Sequence, residues 1–438
     1  MTQALENAPS PTSRGTGPRT GRELALGKPL DFDITSARFK ADPGPTFAAM
    51  RAVGPVIPIK LPFVGKAWVT TTHEATLAMI KDNGLFVQEG RNAGKAGVAG
   101  FGWWLPKSIK ALANNMLQKD EPDHRRLRRL VDKAFARRDV LAMRPGVDKV
   151  ADTILDRFEG AGEIDLIADY ARQLPLAVIC DLLGLPEEDR AEFSALAQQA
   201  LTINNALSLI LAGPAFGKML EHGRRQIEAC RRAPRPGLIS ELVQAEEEGD
   251  KLDESELLSM IVLLLIAGFE TTRHLIADSV IFLERHPVQK AWLLADPAER
   301  IERAVEELAR YASPVQSTKP RYVARETEFF GARLRRGEVI LAMLAAANSD
   351  PAAFDRPDEL LLDRFPNPHL VFSSGVHFCL GMQLARVEAQ AALARLYARF
   401  PDLSLAEPDR IDWIERLGLR GPKTLRLGLR AGPERLAA

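Results

Sequence analysis

The stretch PHLVFSSGVHFCLGMQLARVEAQ, residues 368–390, decides how this chain is read. It holds Cys379, one of only three cysteines, between a glycine-containing loop and an amphipathic run. From Leu384, apolar side chains recur at Val387, Ala391, Ala394 and Tyr397, a spacing that predicts a helix opening beside the cysteine. A helix N-terminus offers free backbone N–H groups and the positive end of the dipole, and both favour thiolate over thiol. Gly375 and Gly381 permit tight turns and the close approach of a flat ligand to the backbone. The competing reading is an inert, buried cysteine, the common fate of a free thiol.

The rest of the chain narrows the choice. Its 438 residues carry 58 basic and 58 acidic side chains, so no bulk field points to nucleic acid or to an acidic substrate. Cys180, Cys230 and Cys379 are far apart, without a CxxC or Cys/His cluster. That pattern supports neither a zinc site nor a disulfide framework and suits a reducing cytoplasm. Residues 1–23 are rich in Pro, Gly, Ser and Thr and read as a mobile tail, leaving 24–438 as one large domain. The longest apolar run, Met260 to Phe269, falls well short of the roughly 20 residues a membrane span needs. It reads as a buried core helix, with no membrane span expected.

Along the chain, PVIPIKL and AWVTTT read as short strands, followed by a helix at HEATLAMIKD. A glycine-rich stretch, Gly84 to Gly102, ends in FGWWLP and reads as a long functional loop. From about Asp123 to Arg310 the pattern is mostly helical, broken at RRAPRPG. A long helix opens at Asp253, with Glu256 placed for a capping box, and stops before Pro287. Beyond Tyr311 come short strands with turns at Gly331 and Gly337. ELLLDRFPNPH is a proline-punctuated loop, and LGLRGPKTLRLGL reads as a closing hairpin.

Phe372, Gly375, His377, Cys379 and Gly381 together spell Phe-x-x-Gly-x-His-x-Cys-x-Gly. This resembles the haem-ligand loop of the cytochrome P-450 monooxygenases, with Ser373 standing where a glycine is usual. The resemblance implies that Cys379 is the proximal thiolate on the iron of haem b. It further implies that Phe372 shields the sulfur and that His377 contacts a propionate. Thiolate donation favours O–O cleavage.

Four further features match the family in order. EELAR carries Glu307 and Arg310, by themselves an ordinary surface pair, in the family a buried pair that holds the cysteine loop. AGFETT places Glu270 and Thr271 in the apolar helix beside Ala267 and Gly268. It resembles the oxygen-activation motif, in which the small residues leave room for dioxygen, the threonine hydrogen-bonds it and the acid relays protons. Phe269 stands where many relatives have histidine. DEPDHRRLRRLV supplies His124 and Arg128, and PRYVA supplies Arg321, as propionate-binding candidates. AAANSD resembles Ala-Asn-Arg-Asp, with Ser349 replacing the arginine.

The resemblance implies a mainly α protein, a single large helical domain with a small β-rich region. It implies insertion of one oxygen atom from O2 into a largely hydrophobic substrate, in secondary or lipid metabolism. Electrons would come from a separate ferredoxin and its NAD(P)H-dependent reductase, delivered to a monomer. The cationic run Arg125, Arg126, Arg129, Lys133, Arg137 and Arg138 is either the ferredoxin dock or a solvated helix face. Leu263, Ile266, Ala267, Glu270 and Thr271 share a helix face expected to look onto the haem. Phe86, Val98, Phe101, Trp103, Trp104, the LTINNALSLILAG segment, Val315 and Gln316, and LGLRG would close the pocket. The expected substrate is a macrolide-like polyketide, terpenoid, steroid or fatty acid. A peroxide-driven peroxygenase and a non-enzymatic haem sensor or carrier are the alternatives.

Overall fold

The computed structural model describes residues 29–61, 64–95, 115–132, 137–201, 213–247 and 253–429. The expected tail and the tip of the glycine-rich loop, with Phe101 and Trp103, lie outside the described residues, as does most of LTINNALSLILAG.

The frame is a helix of 32 residues, Glu254–Arg285, roughly 48 Å long at 1.5 Å per residue. Its start is fixed by the capping box that the sequence suggested. Glu256 N donates to Asp253 Oδ1 at 2.7 Å, and Asp253 N donates to Glu256 Oε2 at 3.2 Å. The helix is apolar and long enough to pass a membrane-span test, but 67% of the apolar window is buried inside the protein. It packs against Gln173–Leu183, Gly213–Arg232, Pro297–Ala312 and Met382–Arg399. A helix surrounded on most sides reads as apolar nearly all round. The cysteine helix, Met382–Arg399, lies against it, and its fully buried Ala389, Ala391 and Ala392 give it small side chains for close packing.

The β-rich part is small. Five strands lie in the spatial order Val56–Leu61, Gly65–Thr70, Val339–Ala342, Arg321–Val323, Phe86–Val87. Thr327–Phe329 and Ala332–Leu334 form a hairpin whose turn residues, Phe330 and Gly331, both have positive φ. The closing hairpin expected at LGLRGPKTLRLGL does not form. Arg426–Gly428 instead runs between Glu163–Asp165 and Ser404–Leu405, antiparallel to both. Leu427 is thereby fully buried, which a hairpin with the preceding residues would not achieve.

The loop leading to the cysteine is held by charge. Glu307 is 0% exposed and Arg310 2%. Glu307 accepts from Arg310 Nε at 2.7 Å and Nη2 at 2.8 Å, from Arg364 Nε at 3.0 Å and from Asn367 Nδ2 at 3.2 Å. Arg310 also donates to the carbonyls of Asn348, Pro357 and Glu359. Asn348 Oδ1 takes the N–H of Leu370 at 2.7 Å, two residues before Phe372. Where Ser349 replaces the family arginine, Arg51 Nη1 arrives from another helix and donates to Ser349 Oγ at 3.1 Å.

Removing one partner of a buried, hydrogen-bonded pair leaves an uncompensated charge. Arg310→Met is therefore expected to lower unfolding free energy by about 3–5 kcal/mol. The same change at Arg333, half of an exposed pair with Glu326, should cost no more than ~1 kcal/mol. Denaturant melts of the two variants check the contrast.

Candidate active site

A cavity of about 820 Å³ lies between the long helix, the cysteine loop and the edge of the five-stranded sheet. That is near the upper end of the roughly 300–1,000 Å³ usual for small-molecule sites. Leu263, Ala267 and Thr271 line it, as do Leu264, Gly268, Thr272 and Leu275, a four-residue repeat that keeps one helix face on the cavity. Phe372, His377, Cys379 and Gly381 line it from the loop, and His124, Arg128, Val315 and Arg321 from other elements.

Five expected residues do not border it, and the first, Phe86, is buried in a core cluster against Phe329. Ile266 and Glu270 sit on the adjoining helix face, where Ile266 packs on the main core. Gln316 turns away from the cavity toward Lys40. Val315 and Ser317 face the cavity, while Gln316 accepts a hydrogen bond from the buried amine of Lys40. Gly375 serves the loop, not a ligand. Its φ is +71°, and a Cβ there would lie 2.8 Å from the Ile80 carbonyl oxygen, so glycine lets the loop seat on the His73–Lys81 helix.

Cys180 and Cys230 are buried elsewhere, and Cys379 is the cysteine that meets the cavity. Its N–H donates to the Phe372 carbonyl at 2.9 Å, closing the loop. Burial pushes the Cys379 thiol up, against the Gly381 N–H and the charges of Arg128 and Arg386. The helix terminus alone does not make a thiolate here, whereas a bound metal cation deprotonates a coordinating thiol. Behind the loop, Arg386 stacks 5.0 Å from the Phe372 ring centre and grips Glu306 through two hydrogen bonds of 2.6 Å. Burial alone would raise Glu306. The hydrogen bonds from His369 and Arg386 outweigh it and hold the carboxylate at about 2.

The opposite feature of the cavity is positive charge: Arg128 pairs with Asp132 at 2.8 Å and Arg416 with Glu270 at 3.3 Å, whereas Lys319 and Arg321 have no ion pair among the described residues. Arg128, Lys319, Arg321 and Arg416 line it, and among the described residues Glu388 is the sole carboxyl that does. Glu388 is buried, and burial drives it well above the usual carboxylate range, against a hydrogen bond with Thr272. Arg321 is buried, its Nε has no partner, and its Nη1 reaches only Asn83 Oδ1 at 3.3 Å and the Ile80 carbonyl at 3.5 Å. Burial brings it down to about 10, still charged at neutral pH. Lys319 is lowered to about 8 by burial. Arg128 Nη1 donates to the Phe378 carbonyl at 2.7 Å. His377 stacks at 4.2 Å between ring centres on His124. Burial, then the charges of His124, Arg321, Arg128 and Lys319, push it to about 3, leaving a neutral ring. Buried Arg321 and Lys319, which is exposed to the open cavity, have no ion pair among the described residues, and such cations suit a ligand that brings its own carboxylates. The residues present therefore fit a flat metal-bearing group with acidic substituents.

Sequence reasoning did not find Lys319, Glu388 or Arg416. Lys319 stands two residues from Arg321 in an extended segment, a spacing that returns to the same face. Glu388 gave a faint signal, a carboxylate among the apolar residues of the cysteine helix.

A helical protein with one thiol and a cluster of cations on a shared, largely apolar cavity defines a class built round a flat anionic metal cofactor. The comparisons name it. A family model described as Cytochrome P450 matches residues 300–424. The polyketide biosynthesis cytochrome P450 PksS of Bacillus subtilis is 36% identical over 366 residues, 83% of this chain and 89% of that protein. The mycinamicin IV hydroxylase/epoxidase of Micromonospora griseorubida is 37% identical over 382 residues, 86% of this chain and 94% of that one. The solved structure of PksS superposes with a TM-score of 0.83 at 34% identity, over 91% of this chain and 99% of that chain. This chain belongs to the cytochrome P450 family. It is a monooxygenase, and its family binds haem b through a cysteine thiolate.

Two positions of the loop test its backbone. Gly375→Ala would add left-handed strain of about 1–2 kcal/mol, besides the contact with Ile80. Ser373, at φ +61°, already bears such strain, so Ser373→Gly should act in the opposite sense. Melting temperature and haem content should fall in the first variant, and melting temperature should rise in the second.

Proposed function

We propose that Cys379 is the axial ligand of haem b, with Arg128, Lys319, Arg321, His124 and His377 around its propionates and Phe372 beside the sulfur. The observation that carries this reading is that one cavity joins the Cys379 thiol to Lys319 and Arg321, cations with no ion pair among the described residues. When bound, haem b supplies the iron at which O2 is reduced and one oxygen atom is passed to substrate. The chain's own residues position and protonate. The Thr271 hydroxyl rests on the Ala267 carbonyl at 3.1 Å and borders the cavity, placed to turn and donate into it. Glu270, the preceding residue, lies behind it as the proton relay. This acid–alcohol pair favours an O2-driven cycle over a peroxide-driven one.

Ile179, Phe216, Leu263, Leu264, Val315 and Leu417 make the described walls apolar. Each such side chain, when covered, contributes about 1.5–3 kcal/mol, so apolar area supplies most of the binding. The substrate is therefore a medium or large hydrophobic molecule, with polyketides first among the classes because PksS is named for polyketide biosynthesis. Electrons come from a separate ferredoxin and reductase in the cytoplasm. The proposed dock is narrower than the sequence suggested. Arg125 pairs with Glu121 at 2.8 Å and Arg126 with Glu256 at 2.6 Å, leaving Arg129 as the described member with no ion pair. Lys133 and the side chains of Arg137 and Arg138 lie outside the described part.

Cys379→His tests the ligand. The reduced carbon monoxide complex of the parent should show the red-shifted Soret band of thiolate ligation, and the variant should lose it. Retention of that band would sink the assignment.

A reconstituted assay tests substrate and partner together. Polyketides, terpenoids, steroids or fatty acids should shift the iron from low to high spin and be oxidised with a surrogate ferredoxin system. The rate should fall with salt, because steering between exposed charges is screened beyond ~10 Å at 0.1 M. Spin shifts confined to small charged metabolites, or a salt-independent rate, would count against these readings.

A further inference from the structure

Glu270, His274 and Asp278 stand four residues apart on the long helix and so share one face. They are 2%, 0% and 0% exposed. Ionisable groups buried in a row are costly unless paired, and this row is only partly paired. Glu270 Oε1 accepts from Arg273 Nη2 at 3.0 Å and Arg416 Nη1 at 3.3 Å, and lies 3.5 Å from His274 Nε2. Glu270 Oε2, His274 Nδ1 and both carboxyl oxygens of Asp278 have no hydrogen-bond partner among the described residues.

The segment 416–421 closes over this row. Gly421 comes so near that a Cβ there would lie 1.9 Å from His274 Nδ1. Arg420, whose charge acts on Asp278, donates to the carbonyls of Lys40 at 2.7 Å, Ala312 at 3.3 Å and Ala41 at 3.4 Å. Ala41 is exposed. The row therefore starts behind Thr271 and ends one guanidinium away from the surface.

We propose that His274 and Asp278 form a proton path that feeds Glu270 along the face of the helix turned away from the cavity. This rests on the reading of Glu270 and Thr271 as the proton-handling pair. Asp278 gives its carboxyl proton to His274 Nδ1. His274 gives its Nε2 proton to Glu270, which passes it on toward the Thr271 hydroxyl. The imidazole ends as its other tautomer, and Asp278 ends as a carboxylate that regains a proton from solvent. No electron moves in these steps. The electrons arrive from the redox partner and balance the protons when the second oxygen atom of O2 leaves as water. Side chains at i and i+4 have Cβ atoms about 5–6 Å apart; no hydrogen bond joins Asp278 to His274 directly, so that transfer runs through one bridging water.

The charges around the row suit this use. Burial raises Asp278 to about 7, opposed by Arg420, behind which stand Tyr311, Arg285 and Asp42. Burial lowers His274, with Glu270 opposing and Arg273 and Arg416 adding to the fall. Burial would raise Glu270, but the His274 hydrogen bond and the charges of Arg273, His274 and Arg416 bring it to about 2. Arg172 lies near Arg273. Glu270 is thus ionised at rest and transmits a proton without storing it. Asp278 holds its proton below about pH 7 and loses it above, so the path is loaded on the acid side and empties as pH rises.

The test uses the holoenzyme with a surrogate ferredoxin and reductase, and progesterone or myristic acid, whichever gives the larger spin shift. Asp278→Asn and His274→Asn should each cut product formed per NAD(P)H by about ten-fold and divert the electrons to peroxide. Asp278→Glu should restore coupling. The parent's coupling should fall as pH rises through about 7, and Asp278→Asn should lose that dependence, which a merely structural role would not do. Infrared difference spectra, independent of turnover, should show a protonated carboxyl band that titrates in the parent and is missing from Asp278→Asn. If both Asn variants keep the parent's coupling and pH profile while Thr271→Ala uncouples, the path is wrong and the reading of the pair stands. If Thr271→Ala does not uncouple, the reading of the pair falls and the path with it. Should the variants not take up haem, the parent decides, and a carboxyl spectrum unchanged across this pH range overturns the proposal.

Discussion

One carboxylate without exposed surface, Glu307, fixes where the cysteine sits. It takes hydrogen bonds from two arginines and an asparagine, and those arginines hold the loop carbonyls that lead to Phe372. A buried ion pair is a poor investment for stability alone, because desolvation consumes much of the attraction. Here it does what an apolar cluster cannot. It satisfies the backbone of a segment with little regular structure of its own, residues 355–370, by donating to its carbonyls in directions that geometry dictates. The cysteine loop then inherits its position from a rigid helix, Pro297–Ala312, instead of from its own irregular chain.

The two faces of the long helix divide the labour. One, repeating through Leu263, Ala267 and Thr271, is lined with apolar and small residues and borders the cavity. The neighbouring face carries Glu270, His274 and Asp278 under the segment 416–421. Arg416 belongs to both, since it lines the cavity and holds Glu270. Substrate wall and proton-handling groups are thus parts of one packed unit, and a side chain placed against Arg416 acts on both.

Much of this was legible in the sequence, for reasons that differ by element. The long helix announces itself because its capping box is local and its apolar period is sustained. The cysteine loop is readable because five residues at fixed spacing carry it. The burial of Glu307 and Arg310 followed only from resemblance, since an i, i+3 pair looks the same on a surface. Ile266 and Glu270 were placed one face too far, because a helical wheel gives neighbours along a face but not its edges. Gln316 was misplaced because the partner it turns to, Lys40, lies far back in the chain. The strand Arg426–Gly428 was misassigned because three residues have no period and their partners lie far back in the chain.

That last strand has a consequence for biosynthesis. Domains are made from the N-terminus at about 5–20 residues per second. Glu163–Asp165 leaves the ribosome long before Arg426–Gly428, yet the later strand sits between it and Ser404–Leu405. The segment 416–421, which walls the cavity and covers His274, is anchored on its far side by that strand. The small sheet is therefore a latch set only after residues 426–428 are made. Until residue 428 is free to pair, the nascent chain has its long helix and its cysteine loop but lacks this anchor for the cavity's remaining wall.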